Sequence, residues 1–436
     1  MDDFFLLLCV VAFFILAFGL VSHLVKEKLF LSEPTVSIIF GIIIGPNILN
    51  LVSINYIESK NLLYQFARIV LCVQIMTAAM SLPQGYVLKN SKSLCILILV
   101  VSWFKYMISF SVIYFMTGYN VAISLAIAAC LTPTDPVLSS SVVKSKFADE
   151  NVPERLRFLI SAESGINDGI GLPFLFIPIH LFYSTNLAVG LQNFIFKTIF
   201  YECIFSALIG IVIGYISRKA LKYCYSNDLV GTESFLVYGI ALTFFCLGLM
   251  EVLKSSEMVC IFFTGTVFAW DEWFVLETRE SRLQEVVDSI FSVSFFIFFG
   301  SRINFSKISA TAVVASIVII FLRRPIPCLM FQKYIKPIKN GREALFVGWF
   351  GPIGVGALFY ALMVDKILST LTIDFVSTVV LMSTFIHGLT IPLFKLGSFK
   401  TSKEFLDLNI AYKDSEDTLN SSDDKFTFKS LKLFDV

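Results

Sequence analysis

Apolar stretches of about 20 residues, the length that spans a bilayer's hydrocarbon core, recur along this chain between short polar and charged loops. That ruler predicts thirteen spans, at 4–24, 34–52, 61–80, 93–117, 121–144, 158–183, 194–216, 234–253, 257–274, 286–304, 308–332, 342–364 and 374–396. Two of them are interrupted. The fifth contains Thr132-Pro133-Thr134-Asp135-Pro136, and the twelfth contains Gly351-Pro352-Ile353-Gly354-Val355-Gly356. Proline removes an amide donor and clashes with the preceding turn, while glycine permits unwound backbone. Non-helical backbone at membrane depth survives only where it is buried in protein or faces water. The breaks fall in the fifth of spans 1–6 and the fifth of spans 8–13, leaving span seven as a linker. The expected fold is an all-α polytopic membrane protein built of two inverted six-helix repeats, with discontinuous helices crossing at a transport site.

Loop charges predict the orientation. With the N-terminus outside, seventeen Lys and Arg residues fall in cytosolic loops and five on the opposite side, a positive-inside bias. The C-terminus is then cytosolic. Met1-Asp2-Asp3 offers no basic n-region, so the first apolar run reads as a spanning helix and not as a removed signal peptide. Beyond Leu396 the character turns polar. Residues 1–396 are therefore expected to form the transmembrane domain, and 397–436 a short cytosolic tail, disordered for much of its length.

Composition agrees with this class. Of 436 residues, 56% are hydrophobic and 15% charged, against about 25% charged in soluble domains. A net charge of +1 points to no nucleic acid and no acidic partner. The nine cysteines are scattered without a C-x-x-C, and the three histidines have no metal-ligand spacing, so the cysteines read as packing residues. Neither H-E-x-x-H nor G-x-S-x-G occurs, which argues against an enzyme, and no cofactor is expected.

The chemistry lies in three carboxylates within apolar sequence: Asp135, Glu163 and Asp168. A charge at the bilayer centre costs at least ~2.5 kcal/mol, so such groups line wet cavities, pair, or exchange protons. Thr132 and Thr134 place hydroxyl and carbonyl oxygens beside Asp135, hard ligands for a small cation. A helix-capping role for Asp135 is compatible with that one. Glu163 and Asn167 share a helical face, and Asp168 is turned about 100° away. Burial disfavours a charged carboxylate, so Asp168 suits competition between proton and cation; the alternative is an acid locked in an internal salt bridge. Glu163 calls for a permanent partner, Arg323 or Arg324, with the other arginine facing the cytosolic interface; alternatively both snorkel. Glu251, Glu257, Asp271 and Glu272 read as mostly interfacial, Arg68 and Lys105 as snorkelling or paired, Asp288 as a cap or packing group, and His387 as a satisfied buried histidine.

The Thr-Pro-Thr-Asp-Pro string, the Glu163-Ser164-Gly165-Ile166-Asn167-Asp168-Gly169 string, Phe268-Ala269-Trp270-Asp271 and the Gly351–Gly356 break occur in an order that resembles fungal sodium/proton antiporters of the monovalent cation:proton antiporter superfamily, over about residues 5–396. The resemblance implies a homodimer, a dimerisation domain, and a six-helix core that moves like an elevator. It makes Asp168 the essential carrier of Na+ or H+, with Thr134, Asp135, Ser164 and Asn167 contributing to the ion site. It also makes Glu163–Arg324 a structural bridge. The Asn167-Asp168 pair resembles the branch associated with one-for-one exchange; stoichiometry stays open. Ile353 departs from the arginine many relatives carry in the second break. Ser256-Glu257 leaves one acid where some have two, and the tail is shorter than in some relatives. The expected activity is exchange of cytosolic Na+ or Li+ for external H+, in contact with lipid and in the plasma membrane. The alternative is a potassium-preferring exchanger or a related ion channel.

Overall fold

The computed structural model describes residues 2–29, 31–51, 56–136, 139, 152–278, 281–368 and 372–398. Every regular element among them is helical. Two compact units divide the chain, Met1–Gly388 and Leu389–Val436. In the second, the described residues are the last turns of the final helix, and the expected tail from 399 onward lies outside the described residues.

In chain order the longer helices are α1 (Asp2–His23), α2 (Glu33–Ile44), α3 (Tyr56–Met80), α4 (Ser91–Thr117), α5 (Val121–Cys130), α6 (Glu154–Tyr183) and α7 (Leu187–Ser226). They continue as α8 (Thr232–Leu253), α9 (Glu257–Phe268), α10 (Leu283–Ser301), α11 (Ala310–Tyr334), α12 (Gly341–Trp349), α13 (Val355–Leu368) and α14 (Thr372–Ser398). Nine helices among the described residues are long and apolar enough to cross a membrane. Helices α2, α5 and α9 are shorter apolar segments, and α12 and α13 flank the second break.

Differences from the expected boundaries have local causes. The second span stops at Ile44 because Gly45 turns extended ahead of Pro46, a residue that disfavours helix before it. The ninth stops at Phe268, and the chain turns through Ala269–Glu272 with Glu272 left-handed at φ 58°. The seventh is longer than expected, because α7 runs past its apolar part through Arg218, Lys219 and Lys222. The fifth ends at Cys130, and residues 137, 138 and 140–144 of that expected span lie outside the described residues. In α11 the helix is interrupted at Arg323 and Arg324, just before Pro325.

Packing depends on small residues where backbones meet. Gly41 of α2 and Gly300 of α10 face each other so closely that a Cβ on either would overlap a carbonyl of the other helix, Ile297 and Ile38 respectively. On the outside, Leu16 and Leu20 of α1 and Phe196 and Leu208 of α7 stay exposed, as expected of a lipid-facing surface. Helix α3 is central and touches α6, α9, α10 and α13. The start of α6 is tied to the start of α12 by a two-pronged ion pair, Arg155 Nη2–Glu343 Oε1 at 2.6 Å and Nη1–Oε2 at 2.8 Å.

Candidate ion site at the crossing of two broken helices

Proline and glycine end α5 and α12 inside the protein, and the two unwound segments meet. The Asp135 amide donates to Pro352 O at 2.9 Å, and the Val355 amide donates to Asp135 Oδ2 at 2.9 Å. Asp135 thus bonds the second break through both its backbone and its carboxylate, which sits at the amino end of α13 where the helix dipole favours a negative charge. Gly354 is required here: a Cβ would overlap the Asp135 carboxylate. The remaining loose groups of the second break are taken by side chains. Ser383 Oγ accepts from the Ile353 amide at 2.8 Å, and Arg323 Nη2 donates to Gly351 O at 3.0 Å. Arg323, expected at the cytosolic interface if Arg324 took Glu163, is instead only 2% exposed and holds the carbonyl end of α12. Ile353 is buried and supplies no charge.

Helix α6 brings its polar residues to this crossing. Glu163 is fully buried. Arg324 Nη2 lies 2.5 Å from its Oε2, Asn167 Nδ2 donates to its Oε1 at 3.2 Å, and Lys105 Nζ is 3.5 Å from the same oxygen. Thr134 Oγ1 is 3.1 Å from Ser164 Oγ and accepts from Asn167 Nδ2 at 3.4 Å. Thr132 does not join them through its hydroxyl, which donates to Ala128 O one turn back at 3.0 Å.

Asp168 differs from all of these. It is 1% exposed, and neither carboxylate oxygen has a hydrogen-bond partner. Its backbone oxygen accepts from the Tyr360 hydroxyl, and a Cβ built on Gly356 would lie 2.6 Å from its Oδ1. Asp135 and Asp168 therefore flank α13 at glycines two residues apart. One carboxylate is satisfied by a helix end; the other is free to take a proton or a cation.

Sequence reasoning missed Ser383 and Tyr360 and left Lys105 as snorkelling or paired; it is paired, 3.5 Å from Glu163. Lys105 has 0% exposure, so it does not snorkel, and it stands with Ser102 and Ser109 on one face of α4. Their i, i+3, i+7 spacing in an apolar run was the available signal. Ser383 and Tyr360 had no such signal, since only the fold brings them near. Among the outlying acids expected at the interface, Glu257 is instead buried and paired with Arg68, which also pairs with Glu251, while Asp271 pairs with Lys222. Asp288 Oδ1 accepts from Ser292 at 3.4 Å, and His387 Nδ1 lies 2.8 Å from Ser383 O.

Two broken helices thus cross over buried carboxylates, and similarity specifies the family. Over residues 9–395 the sequence matches the family described as sodium/hydrogen exchanger, transmembrane, and the chain belongs to that family. It is 41% identical over 358 residues to a Na(+)/H(+) antiporter of Saccharomyces cerevisiae, covering 79% of this chain and 36% of the relative. It is 37% identical over 356 residues to Na(+)/H(+) antiporter 2 of Zygosaccharomyces rouxii, covering 79% and 44%. The chain thus spans less than half the length of these two relatives. A Na(+)/H(+) antiporter of Schizosaccharomyces pombe is 29% identical, with 95% of each chain covered. The fold is shared with a sodium proton antiporter from Methanocaldococcus jannaschii at a TM-score of 0.69 and 18% identity, over 91% of this chain and 97% of the other.

Proposed function

We propose that this chain exchanges a monovalent cation, Na+ or Li+, for H+ across a membrane, with Asp168 carrying cation and proton in turn. The observation that carries this reading is the Asp168 carboxylate, buried at the crossing with both oxygens unbonded. A buried carboxylate without a partner holds either a proton or a counter-cation, because the bare charge is costly in a low-dielectric interior. In this reading Thr134, Ser164, Asn167 and Asp135 contribute to the ion site beside the carrier, while Glu163 and Arg324 tie α6 to α11. The cation is cargo and not a resident cofactor.

The wider reading follows the family. Residues 1–396 form the transport domain, in which a core containing the crossing moves against a dimerisation part in an elevator cycle, within a homodimer in the plasma membrane. The loop charges support an external N-terminus, so cytosolic cation leaves as external protons arrive.

The test is dissipation of an imposed pH gradient in proteoliposomes. Sodium and lithium collapse the gradient with the wild-type protein, and Asp168→Asn falls to the rate of empty liposomes. Exchange retained in Asp168→Asn overturns the assignment of the carrier. Cation flux that leaves the pH gradient standing overturns exchange in favour of a channel. Faster collapse with potassium than with sodium moves the cation preference.

A further inference from the structure

One largely buried ion pair, Arg68–Glu257, lies near the level of Asp168 along α6 without belonging to the crossing. Helices α6 and α9 run antiparallel: Phe262 packs against Gly165, and Val259 against Gly169, the residue after Asp168, where a Cβ would lie 3.4 Å and 3.2 Å from them. Glu257, two residues before Val259, therefore sits about 3 Å further toward the Tyr183 end of α6. Its carboxylate is held by Arg68 of α3, Nε to Oε1 at 2.5 Å. The same guanidinium reaches Glu251 at the end of α8, Nη2 to Oε2 at 2.6 Å, and Glu251 in turn holds Lys254 at 2.7 Å.

Exposure rises in steps along this chain of charges. Asp168 is buried, the Glu257 and Arg68 side chains are 10% and 12% exposed, Glu251 is 50% exposed and Lys254 77%. The charges lead from the crossing toward the side where α6 ends and α9 begins, the outer side by the loop charges. A second thread joins the same two places. One turn before Arg68 on α3, Tyr64 stacks on Phe359 of α13 at 5.3 Å, and the neighbouring Tyr360 donates to Asp168 O.

We propose that the Arg68–Glu257 pair gates the outer route to Asp168, with Glu257 as the carboxylate that cations meet in transit and Arg68 as the tethered cation they displace. This rests on the exchange reading given above. A guanidinium bridging two carboxylates closes the route when no ion is present, since Arg stays charged and its donors fit both acids. The unpartnered Asp168 carboxylate, about one turn inward, supplies the destination. Glu251 at the exposed end draws cations toward the gate.

The two partners of a gate respond oppositely when each is removed, whereas a merely structural ion pair loses function in the same direction from either side. In proteoliposomes of defined orientation, the outer half-saturation concentration for Na+ and Li+ is measured alongside the maximal rate. Arg68→Gln lowers that concentration about threefold, because the internal competitor is gone, and Glu257→Gln raises it about tenfold, the scale of one charge-assisted contact. Glu251→Gln, at a half-exposed position, raises it about twofold to threefold and serves if Glu257→Gln does not fold. Shifts of equal sign in Arg68→Gln and Glu257→Gln, or an unchanged outer concentration in the acid variants, overturn the gate. A wild-type protein that exchanges nothing overturns the exchange reading itself, and the gate with it. Wild-type exchange abolished by Asp168→Asn, with equal-sign shifts at the pair, overturns the gate alone.

Discussion

The two breaks reach the same end by different chemistry. The first, Leu131–Pro136, is opened by two prolines, Pro133 and Pro136, which bring no amide hydrogen, whereas the second has one, Pro352. The second, Phe350–Val355, is opened by glycines as well; its Phe350 and Gly351 amides bond back to Phe346 and Trp349, while Gly351 O, Pro352 O and the Ile353 and Val355 amides are bonded by Arg323, Asp135 and Ser383. Glycine permits an open backbone without specifying it. The first break therefore owes more to its own prolines and leans on the second through the Asp135 amide, whereas the second takes more of its bonds from side chains of other helices.

That contrast is open to three experiments. The largest effect is expected at Gly354→Ala, whose Cβ meets the Asp135 carboxylate. Thermal unfolding of the purified protein should show a loss of about 3 kcal/mol, and exchange should vanish. Near wild-type stability there would mean that the breaks are not clasped as described. Arg323→Gln comes next, because it strips Gly351 O of its buried donor; the expected cost is about 2 kcal/mol. The smallest effect is expected at Ser383→Ala, which leaves the Ile353 amide unpaired and costs about 1 kcal/mol; no loss there would mean that the second break does not lean on Ser383.

The same contrast explains what the sequence disclosed. Both breaks were visible, because Pro133, Pro136, Gly351 and Gly354 act on their own backbone. The buried acids were visible for the same reason: Asp135, Glu163 and Asp168 stand out against apolar neighbours. Pairings between distant helices follow no period, so Arg323 on Gly351, Lys105 beside Glu163 and Arg68 on Glu257 needed the folded chain. Thr132 shows the limit of proximity in sequence. It lies two residues from Thr134, yet its hydroxyl turns back to Ala128. Span lengths were least legible where a helix stops at a turn, as after Ile44 and Phe268, or runs on into charged sequence, as α7 does.

The double bond from Asp135 to the second break also has a kinematic consequence. Its amide grips Pro352 and its carboxylate grips Val355, so the segment is pinned on both sides by one residue. Sliding either broken span by a single residue would undo both grips at once. The crossing has no loose joint of its own. A displacement of one break therefore carries the other with it.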